Sequence, residues 1–227
     1  MRFNGPVTAH DLAAALPDIT TLRERCRALA VLDAILSPAE LSRHHGFGSD
    51  RPHGTETASM DNGSGDAWSI EFSPAGAFLL GFDHESPMSP AANDEQPWPG
   101  LIDTVPEAFA AALTEPALSY DDALEATICL WRQPGDDRWH AGDIDFPDRP
   151  DPDGADRLFA VLLDPTGREY HRFAEDNYGR SVDRDAVREV FGLTPLTTTL
   201  VRRLNADRST TALRTDLSHL GYPSRLA

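Results

Sequence analysis

The residues that could do chemistry gather in the stretch FDHESPMSP, which begins at Phe82. There Asp83, His84, Glu85 and Ser86 end an apolar run and precede a loop that contains two prolines. Carboxylate, imidazole and hydroxyl groups are the components of nucleophilic catalysis, and the first two also bind metal ions. The stretch is either a reactive centre at a strand end or a polar exit into a loop.

A catalytic triad within this stretch conflicts with its expected geometry. A proline follows Ser86 and favours extended backbone there, so we expect the strand to continue through residues 82–86. Alternate side chains of a strand share a face, which places His84 and Ser86 together but about 6.6 Å apart. Because direct proton transfer needs about 3 Å, the stretch is not a self-contained triad. The chain also contains no Gly-x-Ser-x-Gly nucleophile motif.

A metal site is the alternative. Asp143 and Asp145 share one face of a second predicted strand pair, where they can join Asp83 and Glu85. Four carboxylates with His84 or His140 nearby suit a hard cation. However, no spacing matches a metal signature such as H-E-x-x-H or an EF-hand loop, and alternating acids on a strand are typical of a solvated face. The sequence leaves both interpretations open.

The net charge of −17 is confined to the middle of the chain. Residues 54–148 contain 19 acidic residues against Arg132 and Arg138, whereas acidic and basic residues balance on either side of this segment. Such a field repels nucleic-acid phosphates and anionic lipid, and it attracts cationic partners. We therefore predict a basic protein partner, no nucleic-acid partner and no membrane partner.

The basic and sulfur-containing residues exclude further classes of function. All 20 basic residues of the 227-residue chain are arginine, which excludes a Schiff-base lysine and the lysine of a P-loop. We predict no cofactor. The two cysteines, Cys26 and Cys129, are too few for a disulfide framework. With no apolar run of membrane-spanning length and no secretory signal at the N-terminus, we expect a cytoplasmic protein.

The elements that must position these residues begin with an N-terminal helix. Thr21 and Glu24 have the spacing of a capping box, and Ser37 precedes a proline that ends the helix. Between them one apolar stripe recurs at helical spacing: Leu22, Cys26, Leu29, Leu32 and Leu36. Residues 42–66 are rich in Gly, Ser and Asp, and we interpret them as a mobile loop. Its histidines, His44, His45 and His53, lack the supporting residues expected of metal ligands.

Alternating apolar residues predict two antiparallel hairpins after this loop. The first joins residues 68–72 to 77–82, and the second joins 124–132 to 138–146, with a helix over 105–113 between them. Short, punctuated helical patterns fill the chain from Asp153 onwards. The expected fold is a single α+β domain over residues 1–227. It combines an antiparallel sheet of about four strands with an N-terminal helix and a C-terminal set of short helices.

Three stretches, FLLGFDHESPMSP, EATICLWR and DRWHAGDIDFP, resemble an uncharacterised family of bacterial, mainly actinobacterial, cytoplasmic proteins. The resemblance covers roughly the last two-thirds of the chain and implies no particular activity. The order of N-terminal helix, antiparallel strands and helices is also similar to the SUKH superfamily, many of whose members are immunity proteins that neutralise toxins. This similarity implies a binding role, with a toxin as one class of basic partner.

We therefore expect an acidic cytoplasmic binding protein of the immunity type. Charge complementarity would speed encounter and set specificity, while aromatic side chains such as Trp131 or Trp139 would supply affinity. The expected contact residues are Asp83, His84, Glu85, Asp137, Trp139, Asp143 and Asp145. The alternative is a metal-dependent hydrolase that uses the carboxylates of the 83–85 stretch and of the Asp143/Asp145 pair.

Overall fold

The chain combines an antiparallel sheet with helices from both ends of the sequence. The computed structural model describes residues 8–48, 54–114, 116–121 and 123–226. The strands are β1 (His45–Gly48), β2 (Glu56–Asp61), β3 (Ala67–Ser73), β4 (Gly76–Phe82), β5 (Ser119–Tyr120), β6 (Ala123–Leu124), β7 (Ile128–Arg132) and β8 (His140–Ala141). The α-helices are α1 (Ala9–Ala15), α2 (Ile19–Leu36), α3 (Ala110–Thr114), α4 (Ala155–Leu163), α5 (Arg168–Tyr178), α6 (Arg184–Phe191), α7 (Thr198–Leu204) and α8 (Thr210–Leu217).

Six of the strands form one sheet in the order β1-β2-β3-β4-β7-β8, and β5 pairs with β6 as a separate two-stranded ladder. All pairings between these strands are antiparallel. The α+β class with an antiparallel sheet is therefore confirmed, but the prediction of about four strands is wrong. The first predicted hairpin is present as β3 and β4, which turn at Ser73–Gly76.

The two additional strands lie in the segment that we interpreted as a loop, residues 42–66. This segment lacks the regular apolar alternation that predicts a strand. In its described part, the apolar side chains that are large or buried are Phe47, Ala58 and Met60. Pairing with β3 stabilises β2 in place of that alternation, because every residue of β2 from Glu56 to Asp61 has a partner on β3. The loop interpretation is therefore wrong for β1 and β2. The predicted weak ligand His53 lies outside the described residues.

The two faces of the sheet are covered by different parts of the chain. Trp68 pairs with Gly81, three residues from Phe78 along β4, so Trp68 and Phe78 lie on opposite faces. Phe159 of α4 stacks on Trp68 with ring centroids 6.2 Å apart. Phe109, from the segment between β4 and β7, stacks on Phe78 at 5.5 Å. Helix α4 therefore packs on one face of the sheet. The segment between β4 and β7 packs on the other face, where Phe109 contacts Phe78.

The central helix α2 packs between the sheet and the C-terminal helices, with contacts to β1, β2 and α4 to α8. Every residue of its predicted apolar stripe is buried. The helix begins earlier than the predicted capping box, because the carboxylate of Asp18 accepts a hydrogen bond from the Thr21 amide and caps the first turn. In the described part of the chain, no helix combines the length and the apolar content that crossing a membrane requires.

A buried aspartate ties α2 to the first strand and to α5. Asp33 accepts hydrogen bonds from the amides of His44 and His45 at 2.8 and 2.7 Å and from the Tyr170 hydroxyl at 2.6 Å. Burial alone would raise its pKa, but the adjacent His45 and these hydrogen bonds outweigh burial and lower the pKa of Asp33. The carboxylate therefore stays ionised and fixes the position of β1 against the helices.

The second predicted hairpin is shorter than expected. It consists of β7 and the two-residue β8, and residues 142–147 run as irregular backbone. A side chain at Gly142 would approach the Gly100 carbonyl to 1.8 Å, so the two backbones lie in direct contact there. The strand geometry expected for Asp143 and Asp145 is therefore wrong, because this contact replaces strand pairing.

Candidate functional site

Strand β4 ends at Phe82, and the chain turns immediately. The Ser86 amide donates to the Asp83 carbonyl at 3.1 Å, and the Ser86 hydroxyl donates to the Pro152 carbonyl at 2.7 Å. The expectation that the strand continues through residues 82–86 is therefore wrong. His84 and Ser86 do not share a strand face, and the loop returns to the core at Met88, which is fully buried.

A cluster of two acids, one arginine and one histidine lies at this strand end. Arg157 of α4 donates from one nitrogen to Asp66 and pairs through the other with Asp83 at 2.9 Å. The ring nitrogen Nδ1 of His84 lies 2.8 Å from the second oxygen of Asp66. Both carboxylates are buried, whereas His84 is exposed. The 83–85 stretch therefore contributes to an internal ion-pair cluster that joins the sheet to α4.

The cluster keeps the Asp66 carboxylate ionised. Burial opposes ionisation of Asp66, but hydrogen bonds from Arg157 and His84 outweigh burial and lower the pKa of Asp66 to about 2. The hydrogen bond with Asp66 in turn raises the pKa of His84. Asp66 is therefore ionised at neutral pH, which is the state that its ion pair with Arg157 requires.

The same cluster is the best candidate for a metal site among the described residues. One ligand atom each from Asp66, Asp83 and His84 lie within 4.8 Å of one another, and no other described group of three such residues meets this distance. The Arg157 guanidinium contacts both carboxylates, so a cation already sits between them. Asp143 and Asp145 do not belong to this group.

A further carboxylate, Asp153, is buried beside the strand end. Its two oxygens accept hydrogen bonds from the backbone amides of Ala9 at 2.7 Å and Ala155 at 3.1 Å, which joins the starts of α1 and α4. No arginine pairs with Asp153 among the described residues, and burial raises its pKa to about 7. In the sequence, Asp153 marks only the start of the C-terminal helical patterns. Its burial could not be predicted, because the contact with Ala9 spans 144 residues.

Two predicted contact residues are buried and cannot meet a partner in this conformation. Trp139 is 2% exposed, and its indole nitrogen donates to the Pro17 carbonyl at 2.7 Å. Asp83 is 6% exposed and is held by Arg157. Trp131, the other aromatic residue predicted to supply affinity for a partner, is also buried. These assignments are corrected because all three side chains belong to the packed interior.

The other acidic residues of the prediction are exposed. Glu85 lies in the turn after β4, and Asp137 lies in the turn between β7 and β8. Asp143 and Asp145 lie on the irregular segment after β8, and neither has an ion-pair partner in the described ranges. These four residues remain available to a ligand.

Backbone contacts place Asp143 and Asp145 beside acids from the segment between β4 and β7. The indole nitrogen of Trp98 donates to the Asp145 carbonyl at 3.0 Å, and a side chain at Gly100 would meet the Asp143 carbonyl at 2.0 Å. Asp103 accepts a hydrogen bond from the Gly100 amide at 3.2 Å. We use the name acidic rim for the exposed carboxylates carried by these two touching segments: Asp94, Glu95, Asp103, Asp143 and Asp145.

Two residues of the acidic rim occupy a strained backbone region. Asp94 and Glu95 have φ angles of 52° and 58°, the left-handed region that favours glycine. The Glu95 amide donates to the Pro90 carbonyl at 2.8 Å, and the Asn93 side chain donates to the Pro97 carbonyl at 3.2 Å. These bonds hold the turn, so both carboxylates project from a fixed backbone position just before Trp98.

Most of the acidic residues in the described part of the central segment form no ion pair. Glu56 pairs with Arg23 and Arg27, and the Asp66/Asp83 pair is taken by Arg157. In contrast, a larger set is exposed and makes no ion pair within the described residues: Asp61, Glu85, Asp94, Glu95, Asp103, Glu107, Asp121, Asp137, Asp143, Asp145 and Asp148. The unbalanced charge therefore remains largely on the surface.

No family model, curated protein or solved structure matches the chain. The resemblances to a bacterial family and to the SUKH superfamily therefore stay predictions. A function must be argued from the exposed carboxylates and the ion-pair cluster themselves.

Asp153 gives the protein a specific pH dependence. Its pKa rises from 3.8 in the free side chain to about 7 in the fold, so the folded protein retains a proton that the unfolded chain has released between these values. This group therefore stabilises the fold least above pH 7. The variant Asp153→Asn cannot ionise at this position. As the pH rises from 4 to 7.5, we expect its unfolding free energy to increase relative to that of the native protein by on the order of 2–4 kcal/mol.

The measurement is urea unfolding of both proteins across this pH range. The difference between the unfolding free energies of the two proteins at each pH reports on Asp153, because acids whose pKa is lowered, such as Asp66, contribute to both proteins equally. Parallel curves, with a constant difference at every pH, would show that Asp153 ionises in the fold as it does in the free chain.

Proposed function

We propose that the protein is an acidic binding module of the cytoplasm, of the immunity type, and that it engages a basic protein partner such as a toxin. The observation that carries the proposal is the set of exposed central carboxylates with no ion-pair partner among the described residues. A cationic surface would supply the missing counter-charge. Complementary charge of this kind increases the rate of encounter and selects among partners.

The geometry of the acidic rim supports binding over simple solubility. Its carboxylates lie on two segments whose backbones touch, and a solubilising surface needs no such fixed arrangement. Glycine would adopt the backbone of Asp94 and Glu95 with less strain, by roughly 1–2 kcal/mol per residue. Strained residues of this kind cluster at functional sites, where their side chains matter more than their stability.

The aromatic contact of such a surface is assigned to Tyr120 in place of Trp139. Tyr120 is 71% exposed, whereas Trp139 is buried. It lies on the β5–β6 ladder next to the exposed Asp121. An exposed tyrosine beside carboxylates suits an arginine or lysine of a partner, because the ring face attracts the cation and the carboxylate pairs with it.

We expect neutralisation of the acidic rim to abolish partner binding. The variant Asp103→Asn/Asp143→Asn/Asp145→Asn removes three negative charges from the rim while keeping side-chain volume. The native protein should retain a basic protein from host lysate at about 0.05 M salt and release it at about 0.5 M, where charges are screened beyond about 4 Å. The triple variant should fail to retain the same protein at low salt.

The matched control is Asp156→Asn/Asp176→Asn/Asp207→Asn. It changes the net charge equally, but at exposed acids that lie outside the central segment and form no ion pair within the described ranges. It should retain the partner as the native protein does. Loss of binding in both triple variants would assign the effect to net charge alone, and no salt-sensitive basic protein at all would contradict the proposal.

A second candidate, a metal-dependent hydrolase, draws support from one observation. Asp66, Asp83 and His84 present ligand atoms within 4.8 Å of one another. The arginine between the two acids opposes metal binding, because a divalent cation there would meet the positive charge of Arg157. The predicted ligands Asp143 and Asp145 are not part of the group.

This alternative is tested by melting scans with Mg²⁺, Mn²⁺, Zn²⁺ and Ca²⁺. For a binding module we expect no stabilisation of the native protein by any of these ions. We expect Arg157→Ala to lower the unfolding free energy by about 2 kcal/mol, because two buried carboxylates lose their cation. Stabilisation of the native protein by a divalent ion, lost in His84→Ala, would favour the hydrolase.

A further inference from the structure

A cleft lined by arginines lies on the C-terminal helices, in the part of the sequence whose charges balance. It has a volume of about 460 Å³ and lies where the connection between α4 and α5 meets α6. Arg168, Arg184 and Arg188 line it together with Asp164 and Asp185. Its size is within the range of small-molecule sites, about 300–1,000 Å³, and is larger than one phosphate ion requires.

Packing fixes the spacing of the arginines around this cleft. A side chain at Gly167 would lie 2.8 Å from the Phe191 ring and 3.1 Å from Val187, so the connection before α5 rests directly on α6. Gly167 has a φ of 72°, which permits this close approach. Arg168 follows Gly167, and Arg184 and Arg188 flank Val187 on α6. The backbones that carry the three guanidinium groups are therefore held together.

The acids of the cleft compensate only part of its positive charge, because three arginines line it against two aspartates. Asp164 accepts hydrogen bonds from the Glu169 amide at 2.9 Å and from the Thr166 hydroxyl at 2.7 Å. Burial opposes its ionisation, but these hydrogen bonds outweigh burial and lower its pKa, so Asp164 stays negative. Asp185 pairs with Arg188 at 3.1 Å, but both side chains are about two-thirds exposed, where an ion pair contributes little. Arg184 makes no ion pair and no side-chain hydrogen bond with any described residue.

Arg168 is also weakly held. It lies 3.4 Å from Glu169, whose other oxygen makes a shorter contact of 2.7 Å with Arg172. Of the three cleft arginines, one is therefore free among the described residues and two make exposed contacts on their own helices. Guanidinium groups are well suited to phosphate, because their planar donors bind its oxygens in pairs.

We propose that this cleft binds a small phosphate monoester, with Arg184 as the main phosphate ligand and Arg168 and Arg188 as supporting cations. The phosphate supplies terminal oxygens for the arginines, and the remaining volume takes the organic group. This site is separate from the acidic rim and does not depend on the function proposed above. It gives a strongly acidic protein one local region suited to an anion.

The test is calorimetric titration of the full chain with phenyl phosphate at pH 7.5 and constant ionic strength. We expect the native protein to bind it, and Arg184→Ala to weaken binding by at least about tenfold, as loss of a charge-assisted hydrogen bond does. Arg184→Lys should give an intermediate affinity, because lysine keeps the charge without the paired donors. Inorganic phosphate should bind more weakly if the organic group contributes, and equally if the site recognises free phosphate.

The control variant is Arg202→Ala, which removes an exposed arginine of α7 that forms no ion pair with a described residue. It should bind phenyl phosphate as the native protein does. Malonate, a dicarboxylate of similar charge, separates phosphate recognition from general attraction of anions. No binding by the native protein up to millimolar concentrations, or equal binding by Arg184→Ala, would overturn the proposal.

Discussion

The supply of cations at the sheet limits how the charge of this protein can be neutralised. The arginines that pair with acids of the central segment come from α2 and α4, and they are taken by Glu56, Asp66 and Asp83. The central segment itself offers only Arg132 and Arg138, and Arg132 is hydrogen-bonded to the Asp136 carbonyl. Most of the remaining carboxylates in the described part of the segment are exposed to solvent, and the fold places several of them on two touching segments.

This limit divides the acids into two groups with different physical roles. Asp33, Asp66, Asp83 and Asp153 are buried, and each is held by hydrogen bonds or an ion pair that joins separate elements. They stabilise the arrangement of the helices on the sheet. The carboxylates of the acidic rim are exposed, and their positions are fixed by backbone contacts. This second group is available for recognition.

The sequence predicted the parts of the fold whose signal is local. The stripe from Leu22 to Leu36 is the buried side of α2, and the alternation in residues 68–82 is the β3–β4 hairpin. The sequence did not predict β1 and β2, because their small and polar residues show little periodicity. Strand β2 is ordered by pairing with β3, and β1 by pairing with β2. The extended geometry expected after Phe82 was overridden by the turn that Asp83 and Ser86 form.

The candidate site was predictable only in part. Charge counting along the sequence located the acidic segment, but it could not separate Asp83 from Asp143, because burial of Asp83 depends on Arg157, which lies 74 positions later in the sequence. The pair Asp66 and Arg157 is separated by 91 residues and carries no sequence signal. Trp139 was interpreted as a contact residue, although its partner, the Pro17 carbonyl, lies 122 residues away. Long-range contacts of this kind follow from tertiary packing.

The most direct measurement of the central claim is an amide chemical-shift titration of the protein with a short oligo-arginine peptide. If the uncompensated charge forms one recognition surface, we expect salt-sensitive shifts in residues 93–103, 119–125 and 142–148, and none in α5 and α6. Shifts spread evenly over exposed acids of the whole chain, or no saturable shifts at low salt, would contradict the claim that the acidic rim is a defined binding surface.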